Sequence, residues 1–264
     1  MHKENIVAIV GGGGREAAEA EKYAESDLVD GVLVVPGNDG IKLVTRGKLI
    51  DNPKFRKVKT TDSKSLVQLF DHYNVELVDV AQDDAIAAGV ADESRNAGFL
   101  TIGPSRAAGK IESDKALTRF IGRVVGINQP DFMEFDDPEF AIGCIKTWEE
   151  RTRWIKASGL AKGKGAMRAK TKEEAYDRIR SLDQFGEAGK RFLIEENLMN
   201  DDGTPGEEFS YFVLCNGQEF TYLGSANDHK PIGDGDTGPN TGGMGGNNNP
   251  EIVNKEVRKE VEKT

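Results

Sequence analysis

The stretch NIVAIVGGGGREAA, residues 5–18, decides how the N-terminal half is read. Residues 6–10 form a continuous apolar run rich in β-branched side chains, as expected of a strand buried on both faces. Four glycines follow, and from Arg15 the spacing becomes helical. Gly12, Gly14 and Ala17 fit the pattern G-x-G-x-x-[GA], in which bare backbone amides at a helix N-terminus meet a phosphate. A nicotinamide-binding fold of this kind also places an acidic residue at the end of the second strand for the ribose. Here that strand runs into VVPGNDG (residues 34–40), and Asp39 falls late, inside a turn. Phosphate or phosphosugar binding is therefore favoured over a nicotinamide cofactor, and a tight turn without a ligand is the plain alternative.

From that stretch the alternation continues: GVLVV at 31–35, a helix carrying Leu66, Leu69, Phe70 and Tyr73, VELVDV at 75–80 and FLTIG at 99–103. Strand, helix and strand in this order predict a parallel sheet covered on both faces. The expected class is α/β, with a Rossmann-like parallel-sheet domain over residues 1–104. Residues 105–125 read as one helix. PDFMEF, WIKAS, AMRA and RFLIEEN then read as strands, separated by helices near 138–148 and 172–182. This predicts a second, mixed α+β domain over 105–264, with a small lobe at about 120–190 and the rest at about 191–264. Two extended runs around Asn216-Gly217 predict a hairpin, and the C-terminal NKEVRKEVEKT a charged helix.

The chain has 264 residues, of which 37% are hydrophobic and 30% charged, with a net charge of -10. An acidic balance of this size argues against nucleic acid or an anionic membrane as partner, since either demands a basic face. No apolar run reaches the roughly 20 residues that span a bilayer, and the N-terminus enters a strand at once, so a cytoplasmic location is expected. Cys144 and Cys215 are far apart and lack metal or disulfide spacing.

Two glycine-rich segments carry candidate chemistry. WIKASGLAKGKGAMRA (154–169) sets Lys156 near the end of a strand and follows it with mobile glycines, so that Lys156, Lys162 and Lys164 can neutralise a triphosphate. It is no Walker A loop, because Ala166 follows Gly165 where a Lys-Ser/Thr pair would be required. The segment DHKPIGDGDTGPNTGGMGG (228–246) holds seven glycines and two prolines in nineteen residues. Its composition predicts a loop that wraps its backbone around a polar small molecule. FLIEENL (192–198) runs an apolar strand into Glu195 and Glu196, which read as general acid–base groups, metal ligands or a solvated strand end, and Glu208 has the same alternatives.

Together the stretches GGGGRE, PGN, GPSRAAGKIESDKA, KASGLAKGKG, LIEENL, GEEFSYF and DHKPIGDGDTGPNTGGMG occur in the order found in the phosphoribosylamine–glycine ligase (glycinamide ribonucleotide synthetase) family of the ATP-grasp superfamily, which the chain resembles over residues 5–246. The resemblance implies an ATP-grasp domain after the Rossmann-like one, and ATP-dependent joining of 5-phosphoribosylamine and glycine through glycyl phosphate, with ATP and Mg2+ or Mn2+ as cofactors. It implies ATP-phosphate contacts from Lys115 and Lys156, closure by the loop with Gly163, Lys164 and Gly165, an adenine hinge at Glu195, Glu196 and Leu198, and a ribose contact from Glu208. Asp228, His229 and Lys230 would take part in the chemistry. Phosphoribosylamine and glycine would be held by Gly12, Gly13, Gly14, Arg15 and Asn38, and by Asp236, Pro239, Asn240, Thr241, Gly242, Gly243 and Met244.

The chain departs from the family pattern at AQDDAI (81–86) and GGMGGNNNP (242–250). The family's magnesium ligands are expected beyond Thr264, so the ATP-grasp domain is expected to be incomplete in this chain, with a second chain as one way to complete it, and no residue here is assigned to metal. A non-catalytic or split-subunit nucleotide- or phosphosugar-binding protein on the same half-fold is the alternative.

Overall fold

A computed structural model of the chain describes residues 4–161, 163–199, 206–235, 237–241 and 243–263, with Pro239 and Asn240 described by their backbone alone. The chain divides into two compact units, with the division along the sequence between Ser113 and Asp114.

The first unit is built on β1 (Ile6–Gly11), α1 (Gly14–Glu25), β2 (Gly31–Pro36), α2 (Ile41–Val44), α3 (Ser63–His72), β3 (Leu77–Asp79), α4 (Asp83–Ala88), α5 (Val90–Asn96), β4 (Leu100–Ile102) and α6 (Lys110–Ser113). Its four strands form one parallel sheet in the order β2-β1-β3-β4. The unbroken apolar run of β1 is explained by its central place, since every residue of that strand is buried. Alternation sends Val7 and Ile9 to one face, where they pack with Ala20, Ala24, Val32 and Val34. Ile6, Ala8 and Val10 face the other way and meet Leu66, Phe70, Val78 and Val90. The order places β2 and β3 on opposite sides of β1, so the connections leaving β1 and β3 diverge at the C-terminal end of the sheet.

The second unit contains α7 (Lys115–Val125), β5 (Phe132–Phe135), α8 (Pro138–Thr147), β6 (Arg153–Ala157), β7 (Ala166–Ala169), α9 (Lys172–Arg180), β8 (Phe192–Glu196), β9 (Ser210–Cys215), β10 (Phe220–Asp228), β11 (Pro231–Gly233), β12 (Thr237–Asn240), β13 (Gly246–Asn248) and α10 (Lys255–Val261). An antiparallel sheet in the order β5-β8-β6-β7 covers α8 and α9, and Ile142, Ile145, Ile155, Ile179, Phe192 and Ile194 fill the space between. Because Ile155 and Ala157 belong to this core, the intervening Lys156 points to the opposite face, as does Glu195 beside Ile194.

Two elements differ from expectation. Residues 105–125 are not one helix: α6 ends at Ser113, Asp114 is extended, and α7 restarts at Lys115. The Asp114 carboxylate accepts from the Leu117 amide at 3.1 Å and so caps the second helix, a competing bond that periodicity does not register. Residues 228–246 are not simply a loop either, since β11 and β12 pair as an antiparallel ribbon and β13 pairs with β10. Glycine and proline exclude a central strand, but a two-stranded ribbon has only edges, and Pro231 stands at the first position of its strand. The expected hairpin is present: the Asn216 side chain accepts from the amides of Gln218 and Glu219 between β9 and β10.

Candidate functional site

The most developed polar constellation lies on the face of the β5-β8-β6-β7 sheet opposite the α8–α9 core. Trp154 is paired with Glu195 and Lys156 with Leu193, so Lys156 and Glu195 are diagonal neighbours across two strands, within reach of long side chains. Lys156 Nζ lies 2.6 Å from Glu195 Oε2. From α7, Arg119 donates Nε to Oε1 at 2.7 Å and Nη2 to Oε2 at 2.9 Å, a two-point fork on the same carboxylate. The side chain of Glu195 is 1% exposed, those of Lys156 and Arg119 22% and 25%, so one sealed anion lies beneath two partly exposed cations. Burial pushes the Glu195 carboxyl up, but the Arg119 hydrogen bonds and the Lys156 charge outweigh it and hold the group below the ordinary range.

A second network fixes the start of α7 beside this sheet. Ser158, buried just after β6, donates its hydroxyl to Asp114 Oδ1 at 2.8 Å and accepts from the Ala116 amide at 3.1 Å. The Lys115 amide donates to the Ser158 carbonyl, and Lys115 Nζ lies 3.4 Å from the Gly159 carbonyl oxygen. Lys115 is thus held at the base of the glycine-rich connection between β6 and β7. Within that connection the Ala157 amide donates to the Gly165 carbonyl at 2.8 Å, and a Cβ on Gly165 would stand 2.6 Å from that of Ala161, so the turn closes tightly only with glycine there. Gly163 has a positive φ of 76°. Lys162 lies outside the described residues.

The other expected site residues fall into two groups. Glu196 pairs with Arg151 at 2.7 Å, Leu198 is exposed, and Glu208 pairs with Lys230 at 3.3 Å, with Asp228 at 3.8 Å from the same ammonium. At the foot of the β11–β12 ribbon, Thr241 donates its amide and its hydroxyl to the Lys230 carbonyl, and the Gly243 amide donates to Thr241 Oγ1. The Met244 amide donates to the His229 carbonyl, and the His229 amide to that of Gly245. Asp228, His229, Lys230, Glu208, Thr241, Gly243 and Met244 are therefore brought together, while Asp236 and Gly242 lie outside the described residues.

In the first unit, Gly12, Gly13, Gly14, Arg15 and Asn38 also come together. Asn38 donates to the carbonyls of Gly12 and Gly13 at 3.0 and 3.3 Å and accepts from the amides of Gly40 and Ile41, clasping the turn after β1 to the turn after β2. A Cβ on Gly12 would stand 2.8 Å from the Gly37 carbonyl oxygen, which is why glycine is needed there. The Gly13 amide is taken at 2.5 Å by Glu16, so one donor expected for a phosphate already serves α1. Sequence reasoning missed Glu16, Arg119, Asp114 and Ser158. Arg119 follows Lys115 by one helical turn, but its partner is 76 residues away and no local pattern announces it. Among the described residues, no group of three or more His, Cys, Asp or Glu side chains is placed to hold a metal ion, and no helix is long and apolar enough to cross a membrane.

Two family models cover nearly the whole chain: the N domain of phosphoribosylglycinamide synthetase matches residues 5–112, and its ATP-grasp (A) domain matches residues 113–264. The chain belongs to the phosphoribosylglycinamide synthetase family. It is 39% identical over 240 residues to the phosphoribosylamine–glycine ligase of Streptococcus suis, covering 90% of this chain and 54% of that protein. Against the ligase of Yersinia pestis it is 36% identical over 259 residues, covering 97% of this chain and 57% of the relative. The chain thus spans about half the length of the curated relatives it matches. The crystal structure of the Thermotoga maritima phosphoribosylamine–glycine ligase superposes with a TM-score of 0.68 at 27% identity, over 96% of this chain and 59% of that one. N5-carboxyaminoimidazole synthetase from Staphylococcus aureus, solved with ADP, shares the fold with a TM-score of 0.60 at 16% identity, over 86% of this chain and 56% of that one. Membership of the phosphoribosylglycinamide synthetase family accounts for the succession of a parallel-sheet unit and an ATP-grasp unit.

Proposed function

We propose that this chain binds ATP and phosphoribosylamine as part of a carbon–nitrogen ligase that joins 5-phosphoribosylamine to glycine, giving glycinamide ribonucleotide, ADP and phosphate in purine biosynthesis. In this reaction ATP supplies an activated phosphoryl group to the glycine carboxylate, and the amine displaces phosphate from the glycyl phosphate so formed. The observation that carries the proposal is the Lys156–Glu195–Arg119 constellation, read in a chain of this family. Two cations on one sealed carboxylate leave a surplus positive charge facing outward, as an anionic phosphate chain requires. Lys156 holds a phosphate oxygen, Lys115 approaches from the start of α7, and Lys164 brings charge from the glycine-rich connection. Glu195, Glu196 and Leu198 form the adenine hinge, partly through backbone groups, with the Glu195 carboxylate kept by Arg119 and Lys156, and Glu208 turns to the ribose. Asp228, His229 and Lys230, with Asp236, Pro239, Asn240, Thr241, Gly242, Gly243 and Met244, hold the reacting glycine and phosphoribosylamine. The glycine turn at Gly12–Gly14, with Arg15 and Asn38, serves the phosphosugar. ATP is taken up with magnesium or manganese, and no residue of this chain is assigned to that ion. The biosynthetic enzyme so proposed works in the cytoplasm.

Titration calorimetry with ATP and magnesium tests the reading. Lys156→Ala is expected to weaken ATP binding by about 1.5–3 kcal/mol, the size of a partly desolvated charge contact. Lys156→Arg should restore only part of it, because a planar fork replaces a compact ammonium. Unchanged affinity in Lys156→Ala would remove the phosphate role.

A further inference from the structure

We infer that Arg119 is a positioning residue of the nucleotide site: its fork keeps Glu195 neutralised, which lets Lys156 turn from that carboxylate to a phosphate. The inference rests on the phosphate role proposed for Lys156. Glu195 is the sealed member of the three, with a side chain 1% exposed, and it holds Arg119 through both oxygens and Lys156 through one. A carboxylate buried to this extent cannot lose all its counter-charge without a large desolvation cost. With Lys156 as sole partner, any phosphate drawing the ammonium away would strand the anion and then face it. With Arg119 in place, the anion stays satisfied and the ammonium can be shared. Several contacts hold Arg119 in place: its carbonyl accepts from Gln129 Nε2 at 2.8 Å, and α7 is fixed at its start by Asp114 and Ser158. The fork geometry makes this a task for arginine, since a single ammonium cannot hold both oxygens in one plane.

A double-substitution cycle on the full chain separates this role from simple packing. ATP affinity with magnesium is measured by calorimetry, alongside circular dichroism and Tm for each variant. Arg119→Gln should weaken ATP by about tenfold or more, because Lys156 becomes the sole counter-ion of a buried charge. Adding Glu195→Gln to that variant removes the captor, and affinity should rise by about threefold or more above that of Arg119→Gln, a recovery that packing alone cannot produce. Arg119→Lys, which keeps the charge and loses the fork, should fall between the two and serves if Arg119→Gln does not fold. Parent-like affinity in Arg119→Gln, or a double variant no tighter than the single one, would overturn the inference. If Lys156→Ala is weakened while Arg119→Gln is not, only the role of Arg119 falls. If Lys156→Ala binds ATP as the parent does, both readings fall.

Discussion

Glu19, on α1, carries a buried carboxylate oxygen with no hydrogen-bond partner among the described residues. Burial, then the nearby charges of Asp79 and Glu16, push its carboxyl from 4.5 up to about 7. Asp79 is also raised, chiefly by burial, even though Tyr23 donates to it at 2.8 Å. A raised carboxyl binds more protons folded than unfolded between the two values, so the first unit should lose stability as pH rises from about 4.5 to about 7. Glu19→Gln keeps the shape and abolishes the charge. Its Tm should exceed that of the parent at pH 8 and match it near pH 4, below both values. A variant equally shifted at both values would show that packing, not charge, governs the position. None of this could be read from REAAEAEKYAE, where Glu19 is one of several helix glutamates. The neighbour that raises it, Asp79, arrives from a strand 60 residues later. Glu195 teaches the same lesson, since the sequence places it at a strand end and only the fold supplies Arg119.

The β11–β12 ribbon shows what composition can and cannot convey about an element. Seven glycines in 228–246 exclude a helix and a central strand, but the pairing of Pro231 with Asn240 depends on contacts that no short-range pattern encodes. Helices α1, α3, α8 and α9 and the buried strands were readable because periods of 3.6 and 2 are local properties. The break before α7 was not, because Asp114 looks like any helix residue until its carboxylate meets the Leu117 amide. At the foot of the ribbon Gly243 has a φ of 124°, and a Cβ there would meet no atom within 4 Å. Gly243→Val should therefore be hindered by its backbone, at about 1–3 kcal/mol, with no crowding to relieve. If the ribbon holds the phosphosugar and glycine, this variant should lose affinity for glycinamide ribonucleotide and keep its affinity for ATP, in parallel titrations of the two. Equal loss of both would make the ribbon a support for the fold, and the substrate assignment would go.

Among the described residues the buried apolar clusters fall into two sets, one built from residues between Ile6 and Phe99 and the other from residues between Phe135 and Ile194, so each set lies within a single unit. The family models divide the chain at nearly the same place, 112 against 113. Every residue assigned to ATP belongs to the second unit: Lys115, Lys156, the connection from Gly159 to Gly165, the end of β8 with Leu198, and Glu208. Binding to the folded form alone raises the free energy of opening by RT ln(1 + [L]/Kd), about 2.7 kcal/mol at a hundredfold excess over Kd. Amides that exchange through opening of the second unit should then slow by about a hundredfold. Hydrogen exchange followed by mass spectrometry, with and without ATP and magnesium, should show this in peptides spanning 114–119, 153–165 and 192–198. Peptides from β1 and β2 should exchange as they do without the nucleotide. The opposite pattern, with protection concentrated on residues 6–14, would move the nucleotide to the glycine turn after β1, where the amides of Gly12 and Gly14 lie beside the one that Glu16 already takes.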